Sequence, residues 1–163
     1  MIDTSEMTVL RGDGTWPWQA FVDGDDIVVI AARGTCFGGD SDPQDNGGTA
    51  SGINTKHNPD IVGCALPLVY TGPGKALQAA LGGSPLPKIP WRTPVEITEA
   101  ATGKVITAIL IDLGPAKKTG NAIDLTIAAA RLFNPHASAT NFEVACHYRI
   151  RGAAKFATKG SAS

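Results

Sequence analysis

A chain of 163 residues has room for one full core and not for two. Hydrophobic residues at 43% and charged residues at 18% exclude a wholly disordered chain. A net charge of -1 gives no electrostatic basis for binding nucleic acid or an anionic membrane. Gly (19) and Pro (11) punctuate the sequence heavily, which suits short strands joined by turns and not a helical bundle. The longest apolar runs, Ile27 to Ala32 and Val105 to Ile111, are too short to span a bilayer.

The first residues, Met1-Ile2-Asp3-Thr4-Ser5-Glu6-Met7, contain no basic segment and no apolar run before a cleavage site, so they do not read as a secretory signal. Residues 1–25 read as an N-terminal extension with short strands at Met7 to Arg11 and Trp16 to Val22, divided by the Gly12-Asp13-Gly14 turn. Trp16 and Trp18 either stack on sugar rings or close the bottom of a core. Ile27 to Ala32 is β-branched and apolar, the pattern of a buried strand. Residues 34–60 form a long Gly-, Asp-, Asn- and Ser-rich loop, a length that marks function or disorder. A short strand is expected at 61–68 and a brief helix from Lys75 to Leu81. Pro85, Pro87, Pro90 and Pro94 then read as a rigid surface connection.

Regular alternation begins at Thr93. Val95 and Ile97 alternate with Glu96 and Thr98, and Ala101-Thr102-Gly103 turns the chain into a second, central strand from Lys104 to Asp112. Ala122 to Leu125 is a short strand running into a helix from about Thr126 to Phe133, with Leu125, Ala128, Ala129 and Leu132 on one face and Asn134-Pro135 as the stop. In the last strand Phe142, Val144, Cys146, Tyr148 and Ile150 share a face, so Cys146 is expected in the core and His147 outside. Residues 152–163 read as a frayed tail. Cys36 and Cys64, both in Gly-rich sequence, are either a disulfide or two more thiols.

Several motifs occur in a telling order: Gly48-Thr49-Ala50-Ser51-Gly52, Ala65-Leu66-Pro67 (or else Leu86-Pro87), Thr93 to Thr98, Thr102-Gly103-Lys104, Asp112-Leu113-Gly114-Pro115, and Ile123-Asp124-Leu125-Thr126 leading into Ala128-Ala129-Ala130. Over residues 34–150 this order resembles the rare-lipoprotein-A family, whose relatives include barwin, expansin and barrel lytic transglycosylases. The resemblance implies a mostly β fold: a six-stranded double-psi β-barrel with one or two short helices, spanning 26–151 with an insertion at 68–92. The sequence departs from the family at two places. Leu113 stands where the family carries Arg, and Gly63 or Cys64 stands where it carries His, the nearest His being His57.

By resemblance, the function is peptidoglycan lytic transglycosylase activity. The sequence of Asp60, Asp112 and Asp124 is similar to the three-aspartate layout of barrel lytic transglycosylases. Glycan cleavage needs a proton for the leaving oxygen and stabilisation of an oxocarbenium-like centre. Asp112 ends an apolar strand, and apolar surroundings would favour the protonated form of a general acid. Its structural alternative is to accept backbone hydrogen bonds in the Leu113-Gly114-Pro115 turn. Asp124 is either a catalytic partner or a carboxylate stabilising the following helix start. His57 is a candidate for the missing imidazole; Asp45, Thr49, Ser51, Asp60 and Trp91 are candidates for binding sugar.

No cofactor or metal is expected, since Cys36, Cys64 and His57 lack zinc spacing and the Asp-rich segment lacks the Gly and Glu of a calcium loop. The alternatives are a non-catalytic carbohydrate-binding barrel, using Trp16, Trp18, Tyr70 or Trp91 as platforms, and a structural part of a phage tail or contractile injection device. The expected partners are peptidoglycan or another polysaccharide, with tail or device proteins as further ones. The expected location is the cell envelope or the exterior, reached by a removed signal or by delivery on a virion-like particle.

Overall fold

The computed structural model describes residues 2–38 and 46–157. Its elements are β1 (Thr8–Leu10), β2 (Gln19–Asp23), β3 (Asp26–Phe37), β4 (Gly63–Leu66), α1 (Lys75–Ala80), β5 (Pro94–Glu99), β6 (Val105–Leu113), β7 (Ile123–Thr126), α2 (Ile127–Phe133) and β8 (Glu143–Ile150). Six strands run in the order β3-β7-β4-β6-β5-β8, and β8 pairs back onto β3 to close a barrel. The pairs β3–β7 and β4–β6 are parallel and the other barrel pairs antiparallel. The mostly β, six-stranded double-psi barrel expected from the sequence is the fold of this chain.

β3 makes closure possible by serving two neighbours in turn. Its first half pairs with β2 through Ile27–Ile30, and its second half pairs with β7 through Gly34–Phe37. Between them the register with β8 slips: Val29 faces Tyr148 and Ala32 faces Cys146, so Ile30 and Ala31 share one opposing residue. Such a bulge bends the strand and increases its twist. Ala31 accordingly takes φ 55, in the left-handed region.

The inner face follows the alternation legible in β8, where Val144, Cys146, Tyr148 and Ile150 are all buried. Tyr148 donates its hydroxyl to the Ala122 carbonyl oxygen at 2.8 Å, which satisfies the one polar atom this large side chain brings into the core. Cys146 is buried as expected, and burial pushes its thiol up to about 12.

Several expectations need correction. Cys36 lies in β3 and not in a loop, because the β3 alternation continues past Ala32 to Phe37. Cys36 and Cys64 are both thiols. Each pairs with Leu125, one from either side of β7, so their Cα atoms lie two strand spacings apart, roughly 9.5 Å. That is beyond the reach of a disulfide. Burial also raises the Cys64 thiol far above its ordinary value, so it is no nucleophile. On α2 the buried residues are Ala129 and Ala130, while Leu132 is exposed.

The segments expected as additions are built into the core. Leu10, Trp16, Trp18 and Ala20 from the N-terminal 25 residues are buried, and β1 and β2 extend the sheet outward from β3. The stretch expected as a surface connection buries Ser84, Pro85, Leu86, Pro87 and Ile89. Two turns fix it to the N-terminal segment. Gly14 donates to the Gly83 carbonyl at 3.0 Å, and a Cβ on Gly12 would fall 2.0 Å from the same oxygen, so only glycine fits there. After Gly152 the chain forms a 3-10 turn at Ala153–Phe156, with Ala153 and Ala157 buried. Residues 158–163 lie outside the described residues. No helix among the described residues is long and apolar enough to cross a membrane.

Candidate functional site

Residues paired across neighbouring strands project to the same face. One such row crosses four strands: Thr35 on β3, Asp124 on β7, Ala65 on β4 and Asp112 on β6. Cys64 and Leu66 on either side of Ala65 belong to the core, which puts the row on the opposite face, away from the core. The two carboxylate-bearing residues therefore flank one alanine, with their Cα atoms roughly 9.5 Å apart.

Asp112 leaves the inner face for a structural reason. The β4–β6 register slips between Cys64 and Ala65, so that Cys64 faces Leu110 and Ala65 faces Asp112, with Ile111 as the extra residue. The apolar face of Ile106, Ala108 and Leu110 is thus not the face of Asp112, which corrects the expectation that the carboxyl shares that apolar face. Instead Oδ1 accepts the backbone N–H groups of Ala50 and Leu113, each at 2.9 Å. These donors stabilise negative charge on that oxygen.

The bond to Ala50 ties the Gly48–Gly52 loop to the end of β6, and Ser51 N–H adds a bond to the Ile111 carbonyl at 3.1 Å. Within the loop the Thr49 and Ser51 hydroxyls bond to one another at 2.9 Å, and Thr49 donates to the Ile53 carbonyl at 2.7 Å. Both candidate sugar-binding hydroxyls therefore shape the loop itself.

Asp124 accepts a hydrogen bond from the Thr35 hydroxyl at 3.1 Å. The start of α2 is capped by Thr126, two residues after Asp124, whose side chain accepts from Ala129 N–H at 3.3 Å. Thr126 also receives Gly63 N–H and donates to the Ile61 carbonyl, fastening β4 to the helix start.

The other candidates disperse. His57 is exposed, and its hydrogen bond is made by the backbone N–H to Asn54 Oδ1, not by the imidazole. Asp60 is exposed ahead of β4. Asp45 lies outside the described residues. Trp16 and Trp18 are buried and serve the core, not a sugar platform. His147 is half-buried, and burial lowers its pKa. Among the described residues no group of three or more His, Cys, Asp and Glu side chains is placed to hold a metal ion.

Trp91 is 41% exposed and lines a groove of about 690 Å³ together with Tyr70, Val69, Lys88, Leu113 and Phe156. Ala50, the residue whose N–H meets Asp112, also lines it, so the groove ends beside the carboxylate row. Most of its wall comes from residues 68–91. Phe156 and Thr35 were invisible as site residues in the sequence. For Phe156 the one available signal is the apolar run Ala153, Ala154, Phe156, Ala157; for Thr35 it is the alternation of Arg33 and Thr35 with Ala32, Gly34 and Cys36.

These features define the class: a closed β-barrel with an aromatic-walled groove that reaches Ala50 and Leu113, the two residues whose N–H groups meet Asp112. No family model matches this chain, and no curated protein matches it either.

Proposed function

We propose that this barrel binds polysaccharide strands, cell-wall glycan foremost, in the groove walled by Trp91 and Tyr70. The observation that carries the reading is the half-exposed Trp91 indole on the wall of a groove large enough for a small-molecule or sugar ligand. An aromatic face offers apolar contact to the C–H face of a sugar ring, while exposed polar groups beside it meet the hydroxyls. The Tyr70 hydroxyl donates to the Pro73 carbonyl at 2.5 Å, which fixes that ring in place. The likeness to rare-lipoprotein-A motifs supports cell-wall glycan as the polysaccharide.

The pair Asp112 and Asp124 flanking Ala65 favours a second reading, glycan-strand cleavage. Asp112 would protonate the leaving glycosidic oxygen and then take the proton of the sugar's own 6-hydroxyl as that oxygen closes on the anomeric carbon. Two main-chain donors already engage Oδ1, so binding is the stronger reading.

Co-sedimentation with purified sacculi tests both. Wild type is expected to sediment with sacculi, and Trp91→Ala to lose at least about tenfold in affinity with an unchanged unfolding midpoint, as an exposed substitution should. Equal binding by Trp91→Ala overturns the assignment of the groove. Release of anhydro-muropeptides by wild type and not by Asp112→Asn would establish cleavage; no release by wild type leaves the binding domain alone.

A further inference from the structure

Trp91 sits in a turn whose shape is held by a small set of bonds. Pro90, Trp91, Arg92 and Thr93 form it. The Thr93 N–H donates to the Pro90 carbonyl at 3.3 Å, and the Thr93 hydroxyl donates to the same oxygen at 2.7 Å. The turn is bracketed on β6, where Arg92 N–H donates to the Leu110 carbonyl at 2.8 Å and Leu110 N–H donates to the Thr93 carbonyl at 3.0 Å. Pro90 and Trp91 both line the groove. The bonds that fix the Pro90 carbonyl therefore set where the indole stands against the groove.

Arg92 shows that the shape is imposed and not chosen locally. Its φ is 69, and among the described residues Ala31 at the β3 bulge is the one other non-glycine residue with a positive φ. A four-residue turn closed from first to fourth residue, with its third residue left-handed, follows the type II pattern, which favours glycine at that place. An arginine there is strained by its own Cβ and keeps the conformation only while surrounding bonds over-determine it. Of the bonds just named, the Thr93 hydroxyl makes the one that comes from a side chain. An aromatic ring fixed before its ligand arrives loses less freedom on binding, so a turn held against strain can raise affinity without touching the ligand.

We propose that Thr93 is a positioning residue for the groove: through the Pro90 carbonyl it holds Trp91 ready for a glycan, against the strain at Arg92. The inference rests on the polysaccharide reading of the groove. Thr93→Val keeps the branched shape and deletes the hydroxyl. In the full chain it is expected to weaken co-sedimentation with purified sacculi by about fivefold, while Thr93→Ser stays within about twofold of wild type. In the 15N-labelled protein without glycan, the heteronuclear NOE of the Trp91 indole is expected to fall in Thr93→Val and to hold in Thr93→Ser. Arg92→Gly removes the strain, so in that background Thr93→Val is expected to lose less than about twofold in binding. Four results overturn the proposal and leave the groove reading standing: equal binding by Thr93→Val and wild type, an unchanged indole NOE, a Thr93→Ser loss as large as that of Thr93→Val, or the same Thr93→Val loss in both backgrounds. Failure of wild type to sediment with sacculi overturns the groove reading, and this proposal with it.

Discussion

The barrel carries carboxylates in two settings, and they are held in different ways. At the seam where β3 meets the end of β8, acids meet arginines. Arg149 bonds to Asp23 and Asp26, each at 2.9 Å, and Arg151 bonds to Glu96 at 2.7 Å and approaches Asp26 at 3.6 Å. On the outer row, Asp112 is met by main-chain N–H groups and Asp124 by a hydroxyl. An acid clasped by two guanidinium groups is a fastener whose geometry is set by strand pairing. An acid met by amides of a loop holds that loop where a groove begins. The two settings thus separate what keeps the barrel shut from what shapes its candidate site.

The sharpest way to break the comparison is at Asp26. Its carboxylate accepts Gly152 N–H at 2.9 Å and Arg149 at 2.9 Å, joining the start of β3, the end of β8 and the C-terminal turn. Asp26→Ala is expected to cost about 2 kcal/mol, since it removes one of the two acids that hold the half-buried Arg149 and leaves the Gly152 N–H without its acceptor. Urea unfolding followed by tryptophan fluorescence measures it, and a loss below about 0.5 kcal/mol would show the seam to be ornamental. The same group gives a pH dependence. Burial pushes the Asp26 carboxyl up, but the Gly152 N–H and Arg149 outweigh it and hold the group below its ordinary value. A lowered folded-state pKa means stability that is fully present above the unfolded value, about 4, and lost as pH falls through the folded value. Wild type should therefore lose stability below about pH 4, and Asp26→Asn should flatten that slope.

The barrel itself was legible because its later half repeats a simple signal. Val95/Ile97 and Val144/Cys146/Tyr148/Ile150 alternate with polar residues, and a period of two survives any uncertainty about partners. The outer row was only half legible. Asp112 and Asp124 stand out as acids at strand positions, but their relation to Ala65 depends on a register slip at Cys64 and Ala65 that no local pattern announces. The same slip turned the Asp112 side chain from the face its sequence neighbours suggested. Trp16 and Trp18 show the other limit: the sequence left them as a sugar platform or as part of a core, and the core reading holds because the 83–89 segment, far away in sequence, packs over that region. Long-range docking of two loop segments leaves no periodic trace.

Asp112 offers a finer discrimination. Asp112→Ala removes the acceptor of two N–H groups, one of them on the exposed Ala50, where water can replace it; a cost of about 1 kcal/mol follows. Asp112→Asn keeps an acceptor oxygen and should cost only a few tenths. Hydrogen exchange is the informative readout: the amides of Ala50 and Ser51 should lose protection in Asp112→Ala and keep most of it in Asp112→Asn. Unchanged protection in both would mean that the loop is held by its own internal bonds among Thr49, Ser51 and Ile53.

The smallest effect is expected at Thr35, and it asks whether the row is a connected unit. Thr35→Val keeps the side chain's shape and the strand preference while deleting the bond to Asp124. A half-buried bond to a carboxylate contributes about 0.5–1 kcal/mol here, near the lower end for charged acceptors because the pair is reached by water. A double-mutant cycle with Asp124→Asn isolates it: the two losses should fall short of additivity by about 0.5 kcal/mol, as residues in contact do. Strict additivity would mean that Asp124 is held by other groups and that Thr35 only fills its place on β3. A measured coupling would instead extend the site one strand beyond the aspartates, with β3 setting the orientation of the carboxylate that faces Asp112 across Ala65.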